Sequence, residues 1–106
     1  MNAKDFAERF MGGTVAILRE ETTEFEEFCD RIEPYLIRTP RGRTTMWEQG
    51  MTFYEYCMNG SEYKFCIDGL VYTGVRNLKE YDPKHTIQLV DWRKIIFNFT
   101  EFEDLL

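Results

Sequence analysis

The stretch that decides the fold runs from position 51 to 73 and reads MTFYEYCMNGSEYKFCIDGLVYT. It contains Asn59-Gly60 and Asp68-Gly69, the dipeptides that type I′ turns favour because both central residues of that turn need a positive φ. Around these dipeptides, aromatic and apolar residues alternate with polar ones, as they do in half-buried strands. The stretch therefore predicts a three-stranded antiparallel meander joined by two tight hairpins.

The two turns also predict the register of the meander. Two-residue loops give the cross-strand pairs Tyr56–Tyr63, Tyr54–Phe65 and Phe65–Tyr72. On the other face Glu55 lies opposite Lys64, and opposite charges in such a pair are mildly stabilising. The predicted aromatic face consists of Tyr54, Tyr56, Met58, Tyr63, Phe65, Ile67 and Tyr72. This face either packs against a helix or contributes to an interface.

Upstream of the meander, the pattern predicts a short N-terminal helix and then a strand. Residues 3–11 carry apolar side chains at helical spacing, with Asn2 as the cap, and Gly12-Gly13 ends the helix. Residues 14–19 contain the continuous apolar run VAIL, which is typical of a strand covered on both faces. We therefore expect this strand to lie in the centre of the sheet.

The principal helix should follow, with Thr23 and Glu26 as its capping box. Its buried stripe consists of Phe25, Phe28, Cys29, Ile32 and Leu36. Pro34 lacks the amide hydrogen that a helix interior needs, so regular helix is expected to end near Glu33. The remaining positions are mostly acidic, and this composition predicts a strongly negative exposed face.

For the rest of the chain, the sequence predicts shorter elements and one segment of ambiguous pattern. Residues 38–45 read as a loop, 44–48 as the start of a strand, 77–81 as a helical turn and 86–90 as a final strand. The segment 92–106 fits a helix capped by its preceding aspartate and a strand equally well, and we favour a strand followed by a short acidic helix. Together these elements predict a single α+β domain over residues 1–106. Its sheet is mainly antiparallel, and one principal helix packs on it.

Composition excludes several classes of function. The chain has 106 residues and a net charge of −6, which argues against direct binding of nucleic acid because phosphates require Lys and Arg. The three cysteines, Cys29, Cys57 and Cys66, have no CxxC spacing and read as reduced thiols of a cytoplasmic protein. No apolar run approaches the roughly 20 residues of a membrane span.

No reaction motif is present in the sequence. The lone His85 lies in a turn and lacks a partner for nucleophilic catalysis, and a zinc site would need four ligands. The acidic residues lie at solvent-facing positions, whereas catalytic carboxylates need a cleft that tunes their pKa values. The sequence therefore predicts neither an enzyme nor a cofactor or metal site.

Charge supplies the two candidate binding sites. The preferred site is an acidic surface for a basic partner, and it consists of Glu20, Glu21, Glu24, Glu27, Asp30, Glu101, Glu103 and Asp104. Such a surface accelerates association with a basic protein. The alternative site is a pocket for a small nucleotide, in which guanidinium groups bind phosphate and an aromatic ring stacks on the base. It consists of Arg38, Arg41, Arg43 and Trp47.

The order of elements resembles small phage and prophage proteins of Gram-positive bacteria over residues 6–92. The resemblance is carried by Gly12 before the first strand, Thr22-Thr23-Glu24, Thr45, Trp47, Asp68-Gly69 and Asp91-Trp92. Some proteins of this kind are anti-CRISPR inhibitors, which cover the basic nucleic-acid surface of an effector nuclease. The resemblance therefore implies a non-enzymatic inhibitor in the cytoplasm of a bacterial host, without assigning functional residues.

Two alternatives stay open beside the inhibitor. One is a binding protein for a nucleotide signal, and the other is a subunit of a phage assembly. In the assembly, Phe97, Phe99 and Phe102 would be buried against a neighbour, and this includes association with further copies of the chain. Aromatic side chains anchor interfaces well, which is why the C-terminal segment suggests it.

Overall fold

The computed structural model describes residues 1–39, 50–67, 70–72 and 86–97. Its helices and strands are α1 (Ala3–Met11), β1 (Val15–Leu18), α2 (Thr23–Arg38), α3 (Phe53–Cys57), β2 (Tyr63–Ile67), β3 (Leu70–Tyr72) and β4 (Gln88–Leu89). A 3-10 turn, Trp92–Lys94, follows β4. The chain is thus α+β, as predicted. The helix that packs directly on the sheet is α1, whereas α2 packs on α1 and α3, so the expectation that the principal helix packs on the sheet is wrong.

The sheet is mixed rather than purely antiparallel. Its strand order is β3-β2-β1-β4. β1 pairs antiparallel with β2, and β2 with β3, whereas β1 and β4 run parallel. Parallel neighbours need a long crossover connection, and the many residues between β1 and β4 provide one. The expectation of a central position for the first strand is confirmed, since β1 lies between β2 and β4.

The prediction of a first meander strand is wrong, because Phe53–Cys57 forms the helix α3. Thr52 caps this helix by accepting a hydrogen bond from the amide of Glu55 at 3.1 Å. Phe53 and Cys57, at i and i+4, are both buried on one side of it. A five-residue segment is too short for its pattern to distinguish helical from strand periodicity. The cap together with this buried pair favours the helix.

The pairs predicted across Asn59-Gly60 are therefore absent: Tyr54 and Tyr56 lie on α3, and Glu55 does not face Lys64. Gly60 does have a positive φ of 66°, but it follows a helix instead of closing a hairpin. The second hairpin is confirmed in register, with Phe65 opposite Tyr72 and two residues left between the paired ends of β2 and β3.

The N-terminal part agrees closely with the sequence. Asn2 caps α1 by accepting from the amide of Asp5 at 2.9 Å. Gly12 ends the helix, and Gly13 has a φ of 80°. A Cβ on Gly13 would lie 2.9 Å from the Cys66 carbonyl oxygen, so both its φ and the close approach of β2 require glycine.

α2 begins one residue earlier and ends later than predicted. Its cap is Thr22, which accepts from the Phe25 amide at 3.1 Å, so the predicted capping box at Thr23 does not form. The helix continues through Pro34 to Arg38. Pro34 lies on the exposed side, and the turn that follows it buries Leu36 completely. That burial offsets the hydrogen bond that the proline removes.

The core is built mainly from aromatic rings. Phe28 of α2 lies at its centre, with ring centroids 6.0 Å from Phe6, 5.3 Å from Trp92 and 6.0 Å from Phe97. α1, α2 and the segment after β4 therefore meet at one side chain. One turn further along the same face of α1, Phe10 packs edge-on against Phe53 of α3 at 5.5 Å.

The segment after β4 combines both predicted conformations. Asp91 caps the 3-10 turn by accepting from the Arg93 amide at 3.0 Å, as a helical start requires. Beyond it, Ile95 and Phe97 are buried and Ile96 is exposed, which is the alternation of a strand. Ile96 forms a parallel bridge with Asn2. Phe97 is only 8% exposed, so its predicted contact with a neighbouring subunit is wrong.

Candidate functional site

The exposed side of α2 is strongly negative. Glu24, Glu27 and Asp30 recur every third residue along it, and Glu21 precedes the helix; all of them are exposed. We call these four residues the acidic ridge. On a helix, positions three apart are neighbours, displaced by about 4.5 Å along the axis and by about 60° around it. The ridge therefore presents a line of carboxylates to solvent.

The neighbouring arginines do not neutralise the ridge by direct contact. Arg31 places its guanidinium carbon 4.2 Å from the centre of the Phe97 ring. Arg38 lies 5.9 Å from the ring centre of Tyr35. Within the described ranges, no ion pair joins a carboxylate of the ridge to a cation. Cation–π contacts thus hold both arginines against the aromatic surface beside the helix.

Glu20, also predicted to contact the partner, has a structural role instead. Its Oε1 accepts a hydrogen bond from Arg93 at 2.7 Å and its Oε2 one from the Trp92 indole at 2.7 Å. The bond from Arg93 is the main reason why the pKa of Glu20 lies below its usual range. Glu20 thereby ties the start of α2 to the segment after β4.

Glu33 at the far end of the acidic face is likewise engaged. Its Oε1 accepts from the backbone amide of Phe53, the first residue of α3, at 2.5 Å. A carboxylate at a helix N-terminus binds an amide that has no partner within the helix. The acidic face therefore divides into exposed carboxylates and carboxylates that join elements.

This division predicts a measurable difference in stability. Glu33→Ala removes the acceptor at the start of α3 and should lower the free energy of unfolding by about 1–2 kcal/mol. Glu26→Ala removes an exposed carboxylate of the same helix and should change it by less than about 0.5 kcal/mol. Urea denaturation followed by circular dichroism measures both. Equal values for the two variants would contradict the assignment of Glu33.

The other predicted site residues are only partly described. Arg38 ends α2, whereas Arg41, Arg43 and Trp47 lie outside the described residues. The same holds for the C-terminal acidic residues Glu101, Glu103 and Asp104, for His85, and for the predicted elements at 44–48 and 77–81. Their predicted roles stay predictions.

The three cysteines are buried free thiols. Cys66 lies with its Sγ 3.8 Å from the Sδ of Met11, and burial raises the pKa of its thiol above the usual range. The pKa of Cys29 is raised by hydrogen bonding to Cys57 and by burial. In the described ranges, no cluster of three or more His, Cys, Asp or Glu side chains is arranged to hold a metal ion.

Lys64 is the feature that sequence reasoning missed. It was predicted to lie opposite Glu55 on the face away from the aromatic side chains, but it is fully buried on β2. Its Nζ donates to the Asn59 carbonyl, and beside it Arg19 donates to the carbonyls of Cys57 at 3.2 Å and Gly60 at 3.0 Å. The two cations bind carbonyl oxygens at and just beyond the end of α3, where the helix dipole is negative.

Burial changes the acid–base behaviour of Lys64. Loss of hydration lowers its pKa from 10.5 to about 8; the neighbouring Cys57 acts in the opposite direction, and Arg19 adds to the lowering. A signal in the sequence was its position between Tyr63 and Phe65 in an otherwise apolar strand. Alternation alone placed Lys64 on the face opposite the aromatic side chains, and it does not reveal that this face of β2 is covered as well.

Two recesses flank β4. The first has a volume of about 370 Å³, and we call it the Trp92 recess. It is lined by Leu18, Glu20, Leu89, Val90, Asp91, Trp92 and Arg93. The second, the Met1 recess, has a volume of about 410 Å³ and is lined by Met1, Gln88, Leu89, Val90, Asp91, Lys94 and Ile95. Both are open, and they share the residues around Leu89.

Comparison with family models, with curated proteins and with solved structures found no match to this chain. Within the described residues, no helix combines the length and the apolar character needed to cross a bilayer.

Proposed function

We propose that this protein is a non-enzymatic, phage-type inhibitor that binds a basic, nucleic-acid-binding surface of a host defence protein. A CRISPR effector nuclease is the class of partner that fits best. The protein would act in the cytoplasm of a bacterial host, and its acidic ridge would occupy the phosphate-binding site of the nuclease. The observation that carries the proposal is the line of exposed carboxylates along α2, which form no ion pair with another described residue.

The spacing of the ridge supports this assignment. Its carboxylates follow one another about every 4.5 Å along the helix axis. The phosphates of one strand follow one another about every 3.4 Å along the axis of duplex DNA. A row of lysines and arginines that binds a phosphate backbone therefore meets charges of the same sign at a comparable spacing.

The surroundings of the ridge support the proposal as well. Arg31 and Arg38 are directed at aromatic rings, so the carboxylates keep their charge available to a partner. The carboxylates of Glu20 and Glu33, in contrast, accept hydrogen bonds from other groups of the chain. Exposed charges at the rim of an interface mainly raise the association rate, and this rise falls as salt increases.

A charge-reversal variant tests the proposal. Glu24→Lys/Glu27→Lys/Asp30→Lys should weaken binding to the partner by about 100-fold in 0.1 M salt, since each reversal replaces an attraction of up to about 1 kcal/mol by a repulsion. The partner is first isolated from bacterial lysate with the wild-type chain as bait and identified by mass spectrometry. Surface plasmon resonance then measures affinity and association rate.

The matched control reverses the same amount of charge elsewhere. Glu8→Lys/Glu55→Lys/Glu62→Lys also removes three exposed carboxylates but leaves the ridge intact. It should retain affinity within about threefold, and both variants should keep the circular-dichroism spectrum of the wild type. Equal losses in the two triple variants would show a dependence on net charge alone and would refute the ridge as the contact surface.

Competition with nucleic acid tests the mode of inhibition. The wild-type chain should displace a labelled duplex from the isolated partner, and the ridge variant should not. A partner that binds the chain and its nucleic acid at the same time would refute occupation of the phosphate site.

A further inference from the structure

We infer that Asn59-Gly60 is a site of self-modification, at which the buried ammonium of Lys64 promotes conversion of Asn59 to aspartate and isoaspartate. The reaction is deamidation through a cyclic imide, and its only co-reactant is water. The inference goes beyond the proposed function, because it involves no residue of the acidic ridge.

The dipeptide lies where this reaction can begin. Asn59 and Gly60 are both exposed, just beyond the end of α3. Gly60 has no Cβ to obstruct its nitrogen, and within the part of the chain that the structure describes, its amide donates to no acceptor. The Nδ2 of Asn59 donates to the Glu55 carbonyl at 3.0 Å, and this exposed bond opens at low cost because water replaces it. The side chain is then free to turn towards the Gly60 nitrogen.

The atoms that react decide where negative charge develops. Hydroxide removes the proton of the Gly60 amide, the nitrogen then attacks Cγ of Asn59, and the Cγ–Nδ2 bond breaks. Nδ2 leaves as ammonia with a proton from water, which restores the hydroxide. Because the amide nitrogen is conjugated with the preceding carbonyl, the charge of the deprotonated amide lies largely on the Asn59 oxygen.

Lys64 binds this same oxygen. Its Nζ donates to the Asn59 carbonyl, and its side chain is fully buried. A cation that is already in place and shielded from water stabilises developing negative charge more strongly than an exposed one. Lys64 should therefore make the Gly60 amide easier to deprotonate and accelerate formation of the imide.

Lys64 also bears on which product forms. Water opens the imide at one of its two carbonyls and is consumed there: opening at the side-chain carbonyl gives aspartate, and opening at the main-chain carbonyl gives isoaspartate. Lys64 polarises the main-chain carbonyl and thereby favours isoaspartate. The carboxylate released at that carbonyl lies beside the ammonium, so a buried charge gains a counter-ion.

The Lys64→Met variant tests the inference. The proteins are incubated at neutral pH, and mass spectrometry of the proteolytic peptide that contains Asn59 measures the exchange of its amide for a carboxyl group. Chromatography separates isoaspartate from aspartate. Lys64→Met should react at least about tenfold more slowly than the wild type and give a smaller share of isoaspartate. In urea the two chains should react equally fast, because the unfolded chain does not hold Lys64 at this oxygen.

Arg19→Met is the matched control. Arg19 binds the same loop through the carbonyls of Cys57 and Gly60, but not the carbonyl of the reacting peptide unit. Its loss removes one positive charge and loosens the loop, and the rate should stay within about threefold of the wild type. Equal slowing in Arg19→Met and Lys64→Met would refute a specific role of Lys64.

The pH dependence supplies a further readout. Burial lowers the pKa of Lys64 to about 8, and Cys57 of α3 and Arg19 after β1 are the titratable groups that face it. Above this pH the amine is mostly neutral and stabilises negative charge less. The ratio of the wild-type rate to the Lys64→Met rate should thus fall from about tenfold near pH 7 to less than about threefold near pH 10. Equal rates near pH 7, or a faster reaction of Lys64→Met, would overturn the inference.

Discussion

Phe28→Ala should lower the free energy of unfolding by about 3–5 kcal/mol, which is a large part of the stability of a domain of this size. Phe28 is 4% exposed and contacts aromatic rings from α1, α2 and the segment after β4. The substitution removes a buried ring and leaves a cavity, which these elements cannot close without giving up their other contacts. Thermal and urea denaturation measure the loss.

The neighbouring position on α2 supplies the control. Glu27→Ala changes an exposed residue and should alter the free energy of unfolding by less than about 0.5 kcal/mol. Phe28→Leu keeps part of the volume and should fall between the two. If Phe28→Ala cost less than about 1.5 kcal/mol, the junction of α1, α2 and the segment after β4 would not be the centre of the core.

Lys64→Met should stabilise the protein at neutral pH by about 1–2 kcal/mol. Burial lowers the pKa of Lys64 from 10.5 to about 8, so its charged form costs about 3 kcal/mol in the folded state. Methionine has a similar length and avoids this cost, although the Asn59 carbonyl then loses its donor. The net gain is therefore smaller than the cost of burying the charge.

The pH dependence of this gain has a definite sign. Below pH 8, Lys64 is protonated in both the folded and the unfolded chain, and the penalty is complete. Between about pH 8 and 10.5 the unfolded chain binds more protons than the folded one, so the wild type gains stability as pH rises. The advantage of Lys64→Met should thus fall by about 3 kcal/mol over this range, and the wild type should become the more stable protein.

Denaturation of both proteins at several pH values measures this difference, in which the titration of the other groups cancels. Lys94→Met, at an exposed lysine, is the control and should show no such dependence. A constant difference between wild type and Lys64→Met from pH 7 to 10.5 would mean that Lys64 titrates normally.

Local signals in the sequence determined the elements that do not depend on distant contacts. Asn2 marks the start of α1 and Gly12-Gly13 mark its end, because caps and positive φ are properties of a few neighbouring residues. The run from Val15 to Leu18 predicted a strand covered on both faces; Val15, Ala16 and Ile17 are buried, whereas Leu18 is 38% exposed. The register of β2 and β3 followed from one tight turn.

Tertiary contacts decided where local signals were ambiguous. Phe53–Cys57 is too short for its period to distinguish helix from strand, and the amide of Phe53 is bound by Glu33 from α2. A proline ends a helix unless the following turn gains enough free energy by burial. Here the turn after Pro34 buries Leu36, and the helix continues. In both cases the energy comes from residues that lie far away in sequence or deep in the core.

The same distinction applies to the candidate site. The sequence by itself determined that α2 carries a negative face, because helical periodicity places Glu24, Glu27 and Asp30 together. Only the tertiary structure decided which carboxylates stay exposed, since Glu20 and Glu33 bind groups from other elements. It also decided that Lys64 is buried and that Leu18 and Leu89 share a recess. Packing between distant segments decides which side chains are buried and which charges are paired. The periodicity of one segment carries no information about that packing.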